Sequence, residues 1–350
     1  FRPCYGAFII ELNGAAADGE NVIGKTIEDY KILCRDYTVS LDNLQRVWEA
    51  KLEPVFPCRI KTTDTTPETY SNANRIQRSA SIKVAQPRVL IPVFPGTNCE
   101  YDTARAFERA GAKAETIVIR NLSASAIEES VNVFERAIKQ SQIIMLPGGF
   151  SGGDEPEGSG KFITAFFRNA KIKDAVHDLL QNRDGLMLGI CNGFQALVKL
   201  GLVPFGEIID MADDAPTLTF NTIARHQSMM VTTRIASNKS PWLYGCEVGD
   251  IHTIPISHGE GRFVAPDRII QQMANNGQIA TQYVDLDGNP TMDIRYNPNT
   301  SVEAIEGITS PDGRVLGKMG HSERIGSFVG KNVPGSKDQK IFESGVAYFK

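Results

Sequence analysis

Several features are scarce in this 350-residue sequence, and each scarcity excludes something. No apolar run approaches the roughly 18 residues that a membrane-crossing helix needs, so no membrane association is expected. The opening residues, Phe1-Arg-Pro-Cys4, lack the basic, apolar and small-residue layout of a signal peptide. No excess of positive charge exists: 37 Lys and Arg stand against 41 Asp and Glu, a net charge of −4. That leaves no electrostatic footprint for nucleic acid or an anionic membrane. The six cysteines, at 4, 34, 58, 99, 191 and 246, include no C-x-x-C pair. Their spacing argues against a zinc site or a disulfide framework and fits a reducing cytoplasm, and no metal-ligand set is read from the sequence. An initiator methionine is also missing, so the chain reads as a fragment or a processed product.

What is present has room for about two domains. Residues 1–60 look incomplete. They offer a strand at 7–12, one or two more within 21–34, and a helix at 40–51 capped by Ser40, with Leu41, Leu44, Val47 and Trp48 as its apolar face. That is too little to close a core, so this part is expected to pack on something else. Residues 61–86 are polar and aperiodic and read as a linker. From residue 87 strands and helices alternate: strands at 88–94, 114–119, 141–146 and 184–190, helices at 99–110 (capped by Asn98), 126–139 and 162–181. This order implies an α/β fold, a doubly wound, flavodoxin-like sheet that is mostly parallel and covered on both faces. After residue 206 short strands at 218–223, 228–235, 251–257 and 278–284 suggest added antiparallel structure, ending with a strand at 315–319 and a helix at 340–349.

One motif misleads. Residues 19–26, Gly-Glu-Asn-Val-Ile-Gly-Lys-Thr, match the phosphate-loop pattern G-x-x-x-x-G-K-[ST], but such a loop must leave a strand and open a helix. Here residues 13–18 intervene, and the apolar spacing of Val22, Ile23, Ile27 and Tyr30 suits a strand, so nucleotide binding is not expected. Similarly, Asp285-Leu-Asp287-Gly288-Asn289 has the flavour of a calcium loop, with its glycine misplaced and no terminal Glu; a hairpin turn fits better.

The strongest signal is Gly-Ile-Cys-Asn-Gly at 189–193, between an apolar run and a helical pattern. It is the cysteine counterpart of the G-x-S-x-G nucleophile elbow, in which a tight strand-to-helix turn lifts the nucleophile above the sheet edge. The helix start there would favour a thiolate. On the motif alone Cys191 is either such a nucleophile or a buried structural thiol. A nucleophile needs a base and an orienting partner. Among five histidines, His177 sits within an amphipathic helix, His252 alternates along a strand, and His226 neighbours Arg225. His258 lies in a glycine-bracketed loop. His321 has Glu323 two positions on; in extended backbone the two side chains share a face, so the carboxylate can hold the imidazole. The alternative for that pair is a solvated charged turn. Backbone amides of Asn192 and of the Pro147-Gly148-Gly149 loop would supply oxyanion donors.

Taken together, the Gly-Gly loop, the Gly-Ile-Cys-Asn-Gly-Phe-Gln elbow and the late His-x-Glu resemble the class I, or triad, glutamine amidotransferases. The match is nearest the glutaminase domain of phosphoribosylformylglycinamidine synthase, through Phe-Pro-Gly-Thr-Asn (94–98), Pro-Gly-Gly-Phe-Ser (147–151), His-Gly-Glu-Gly-Arg (258–262) and His-Ser-Glu-Arg (321–324). The resemblance covers residues 87–350, with 1–60 similar to the tail of a preceding synthetase domain. It implies Cys191 as nucleophile, His321 as acid/base and Glu323 as its orienter. It further implies Gly149 and Asn192 as oxyanion donors, and Gln195, His258 and Gly259 at the glutamine substrate. No cofactor is implied for hydrolysing L-glutamine. ATP and magnesium belong to a synthetase domain of the same polypeptide, which would amidate formylglycinamide ribonucleotide in purine synthesis in the cytoplasm. Two departures stand out: Gly152 and the acidic stretch 154–157 where a tyrosine is usual, and Ser322 where a proline is usual. Residue 322 is expected to face away and matter little. The rival readings are another elbow-cysteine hydrolase, of peptidase or γ-glutamyl hydrolase type, and a catalytically silent glutamine-sensing or docking module.

Overall fold

The apolar runs of the α/β stretch become strands, and the central ones are buried on both faces. In the computed structural model, which describes residues 5–16, 21–58, 60, 65–75, 79–153 and 159–350, the chain forms two units, residues 1–59 and 60–350. The first holds a short antiparallel pair, β1 (Lys31–Cys34) and β2 (Tyr37–Ser40), followed by α1 (Leu41–Ala50). Ser40 caps α1 as expected, its hydroxyl accepting from Asn43 N at 3.3 Å. Residues 7–12 are not a strand: an apolar run forms one only with a neighbour to pair with, and Phe8 and Ile9 are exposed. No described residue of this unit is buried. Of the phosphate-loop match, Gly19 and Glu20 lie outside the described residues, and residues 21–26 open no helix.

The second unit begins with residues 65–86, which contain neither helix nor regular strand among those described. They are nonetheless pinned. Asn72 N donates to Ala236 O at 2.8 Å, Ala80 N to Tyr348 O at 2.9 Å and Val84 N to Phe349 O at 2.8 Å. Then come β3 (Arg88–Val93), α2 (Glu100–Arg109), β4 (Lys113–Val118), α3 (Ala124–Gln140), β5 (Ile143–Leu146), α4 (Lys161–Phe167), α5 (Ala170–Gln181), β6 (Leu186–Ile190), α6 (Asn192–Leu200) and α7 (Leu202–Phe205). They are followed by β7 (Thr217–Thr219), β8 (Gln227–Ile235), β9 (Ile251–His258), β10 (Arg262–Val264), α8 (Asp267–Asn275), β11 (Ile279–Tyr283), β12 (Ile305–Thr309), β13 (Val315–Lys318) and α9 (Ile341–Ala347). The nine-stranded sheet runs β4-β3-β5-β6-β13-β12-β11-β8-β9. Its first five strands are parallel and the rest antiparallel, which gives the α/β architecture expected from the alternating pattern. Strands β5, β6 and β13 are buried at every position, as parallel strands covered on both faces must be.

Three local expectations change. The helix expected at 162–181 is two helices, because Asn169 stops the first and caps the second, its carboxamide oxygen accepting from Lys171 N at 3.1 Å. Asn98 does not cap α2; Cys99 occupies that position, and Asn98 instead ties the turn to the next loop, its N–H donating to Gly148 O at 3.3 Å. Strands β10 and β12 and helix α8 escape the sequence pattern altogether. The Asp285–Asn289 stretch is a turn, as read: Asp285 Oδ1 accepts from Asp287 N at 3.0 Å and from Asn289 N at 2.9 Å.

The elbow closes because of Gly193. A Cβ there would lie 2.0 Å from the backbone oxygen of Leu146 in β5, an atom held by the sheet. Gly193→Ala is therefore expected to force α6 off the sheet, at the upper end of the roughly 1–3 kcal/mol that overpacking costs. Chemical denaturation measures it, and a loss under about 0.5 kcal/mol, the range of ordinary surface changes, would refute the contact.

Candidate active site

Three adjacent parallel strands deliver the predicted groups to one edge. β5 ends in the Gly148-Gly149 loop, β6 ends at Cys191, and β13 ends just before His321; β6 and β13 pair with Ile190 opposite Lys318. Ligands of α/β sheets bind at these carboxyl ends. Cys191 itself has φ 52° and ψ −105°, the strained turn that an elbow requires. Its N–H donates to Lys318 O at 2.9 Å and its Sγ lies 3.5 Å from Ser257 O. Asn192 begins α6, so its backbone N–H has no acceptor within the helix.

His321 is 1 % exposed, and Nδ1 stands 2.6 Å from Glu323 Oε1. The carboxylate fixes the tautomer with hydrogen on Nδ1 and leaves Nε2 for proton transfer. Burial raises the Glu323 carboxyl pKa, but the His321 charge and hydrogen bond, with Arg324 behind them, outweigh it, so the group stays ionised below the usual range. The pair does not form through extended backbone. Residues 322 and 323 lie in a turn, with Arg324 N donating to His321 O at 3.2 Å. Nor does Ser322 face away. It is buried, accepts from Lys318 Nζ at 3.0 Å and donates to Gln339 Oε1 at 2.6 Å. The hydroxyl ties down the histidine's loop.

Gly149 has φ 144° and bridges Thr97; a Cβ there would meet Gly96 O at 2.6 Å. The 147–150 loop is thus zipped to the 96–98 turn, with Phe150 N donating to Gly96 O at 2.9 Å. Gln195 is buried one turn into α6. Its Nε2 donates to Glu260 O at 2.6 Å and its Oε1 accepts from Asn192 Nδ2 at 3.0 Å, so its carboxamide links the elbow to the 258–262 loop. That loop is held by Asn221, which the sequence reading missed: Asn221 N donates to Gly259 O at 2.9 Å, its Nδ2 to His258 O at 2.9 Å, and its Oδ1 accepts from Gly261 N at 3.1 Å. The antiparallel half curls back to reach this edge, since His321 N donates to Pro255 O of β9 at 2.8 Å. His177, by contrast, packs, its Nε2 accepting from Ile208 N at 2.9 Å.

His258 is fully buried, and neither ring nitrogen has a hydrogen-bond partner among the described residues. Burial, with His321 and His226 nearby, pulls its pKa down to about 3. An unfolded histidine titrates near 6.5, so below that pH the unfolded chain takes a proton that the folded one refuses. No penalty applies above about 6.5, and stability is lost as pH falls from there toward 3. The melting temperature should therefore drop between pH 7 and pH 5, less steeply in His258→Gln. Equal slopes in the two proteins would clear His258 of the effect.

Residues 86–349 match the family model of the CobB/CobQ-like glutamine amidotransferase domain. A relative from Methanococcus maripaludis named phosphoribosylformylglycinamidine synthase subunit PurQ is 38 % identical over 247 residues, covering 69 % of this chain and 84 % of its own. One of the same name from Aquifex aeolicus is 32 % identical over 246 residues, covering 70 % and 92 %. A solved structure, PurLQS from Thermotoga maritima, superposes with a TM-score of 0.54 at 26 % identity, covering 76 % of this chain and 100 % of that one. The chain belongs to the CobB/CobQ-like glutamine amidotransferase family. Within that family of enzymes it is similar to the PurQ subunits, the relationship that the motifs at 94–98, 147–151, 189–195 and 321–324 suggest. Among the described residues no helix is long and apolar enough to cross a membrane.

Proposed function

We propose that the protein hydrolyses L-glutamine through a Cys191 thioester and passes the ammonia to a synthetase domain of the same polypeptide. There ATP would drive amidation of formylglycinamide ribonucleotide, a step of purine synthesis in the cytoplasm. The observation that carries this reading is the coincidence of a strained elbow cysteine with a buried His321–Glu323 pair on neighbouring strand ends. The names of the PurQ relatives and of the PurLQS structure support the substrate and the synthetase partner.

In this mechanism His321 Nε2 takes the Cys191 thiol proton as sulfur attacks the substrate's side-chain carbonyl carbon. The backbone N–H groups of Gly149 and Asn192 stabilise the tetrahedral oxyanion. Collapse breaks the C–N bond, and the imidazolium returns its proton to the departing nitrogen as ammonia. His321 then deprotonates a water that attacks the thioester, releasing glutamate and regenerating the thiol. Glu323 keeps the imidazole oriented and stabilises its charged form. Gln195 and the 258–259 loop hold the amino-acid end of the substrate.

A glutamine-analogue electrophile should modify Cys191 in the full chain with its synthetase partner present, with glutamine slowing the reaction. Peptide electrophiles should leave it intact. Labelling by peptide reagents instead, read by mass spectrometry, would move the assignment to a peptidase.

A further inference from the structure

One buried nucleophile beside the site has no part in the proposed chemistry. Cys99, at the start of α2, is 1 % exposed, and its Sγ lies 3.8 Å from His321 Nδ1. Far apart in sequence, the Cys99 sulfur, a His321 nitrogen and a Glu323 oxygen all lie within 4.8 Å of one another. Thiolate, imidazole and carboxylate form a donor set that tetrahedral zinc accepts. With metal–ligand bonds of about 2.0–2.3 Å, neighbouring donors of such a site sit roughly 3.3–3.6 Å apart. The Cys99–His321 separation of 3.8 Å needs little adjustment, whereas the His321–Glu323 separation of 2.6 Å has to widen.

One detail favours accommodation. Glu323 Oε2 is buried with no hydrogen-bond partner among the described residues, so the carboxylate has a second oxygen to turn toward a cation. One detail opposes it. Arg324 donates to Cys99 Sγ at 3.0 Å, and a cation must share the sulfur with that guanidinium or displace it.

We propose that Cys99, His321 and Glu323 form an inhibitory site for a soft divalent cation, zinc being the best fit. A cation on Nδ1 breaks the Glu323 hydrogen bond and withdraws electron density from Nε2, leaving the acid/base unable to cycle. Binding stands on geometry alone; inhibition rests on the role given to His321 under Proposed function.

The test uses the full chain with its synthetase partner and two readouts. Co2+, a spectroscopic stand-in for zinc, should give a thiolate-to-cobalt charge-transfer absorption that persists in Cys191→Ala and disappears in Cys99→Ala. Zn2+ should inhibit glutaminase turnover of the wild type, and Cys99→Ala should need at least about tenfold more zinc for half-inhibition, each protein being compared with its own metal-free rate. Cys99→Ser keeps the volume of the site and removes the soft ligand, so it should match Cys99→Ala if the alanine variant packs poorly. An absorption band that survives both Cys99 substitutions, or none in the wild type, overturns the site. Equal zinc inhibition of wild type and variants overturns its inhibitory role. Should glutaminase activity itself be absent, the cobalt band still decides the site, separating its failure from that of the proposed reaction.

Discussion

Cys191→Ala is expected to lower glutamate formation from glutamine by roughly 10⁴- to 10⁶-fold, the scale on which triad hydrolases lose rate with their nucleophile. Cys191 is the residue at φ 52° on the β6–α6 turn, with its N–H fixed by Lys318 O at 2.9 Å, so no other thiol occupies the elbow. Cys99, the nearest alternative identified at the site, is directed to Arg324 and to the Nδ1 side of His321, and its thiol is raised to about 11 by burial. The substitution removes one sulfur from a turn that alanine can share with little strain beyond what cysteine already bears there. Folding stability should therefore change by less than about 1.5 kcal/mol, as for other near-isosteric swaps. Turnover of the variant, assayed with the synthetase partner, checks the prediction. Retention of more than a few per cent of the rate would show that the chemistry runs elsewhere.

How much of this site could be read from the chain depends on the range of the forces that build it. The elbow was legible because its signals are local: an apolar run for β6, small residues at 189 and 193, and a helical pattern behind them. His321 and Glu323 were legible as a pair because they are neighbours, although the turn that joins them was not. Ser322 was misjudged for the same reason. Its partners, Lys318 and Gln339, lie on different elements, and no periodicity announces them. Strand β12 escaped because Ile305-Glu-Gly-Ile-Thr309 places a carboxylate and a glycine inside a fully buried strand, against every propensity for such a position. The return of β9 and the 258–262 loop over the elbow depends on long-range contacts such as Asn221 with His258, which the sequence pattern cannot display. Conversely, residues 7–12 had the right local pattern and no pairing partner among the described residues, so the pattern alone produced nothing.

The charge hidden in β12 leads to the second large effect. Glu306 and Lys318 are both fully buried, and their ion pair spans 3.2 Å between adjacent strands. Glu306 Oε1 accepts from Gly320 N at 2.6 Å, while Lys318 Nζ donates to Gly320 O at 2.9 Å and to Ser322 Oγ at 3.0 Å. The pair thus grips both sides of the loop that carries His321, and the backbone of Lys318 holds Cys191. Lys318→Met should cost about 3–5 kcal/mol, because it strands a carboxylate in the core. Replacing both partners, as Lys318→Met with Glu306→Leu, removes the stranded charge and should recover most of the stability. It does not restore the grip on residues 320 and 322. If the pair positions the histidine, the double variant should keep KM nearly unchanged while kcat stays roughly 10- to 100-fold low, the penalty of a misplaced catalytic group. Full kcat in a stable double variant would instead make the pair structural alone. Denaturation curves and steady-state glutaminase kinetics on the three proteins separate the two outcomes, because stability and kcat are expected to recover independently.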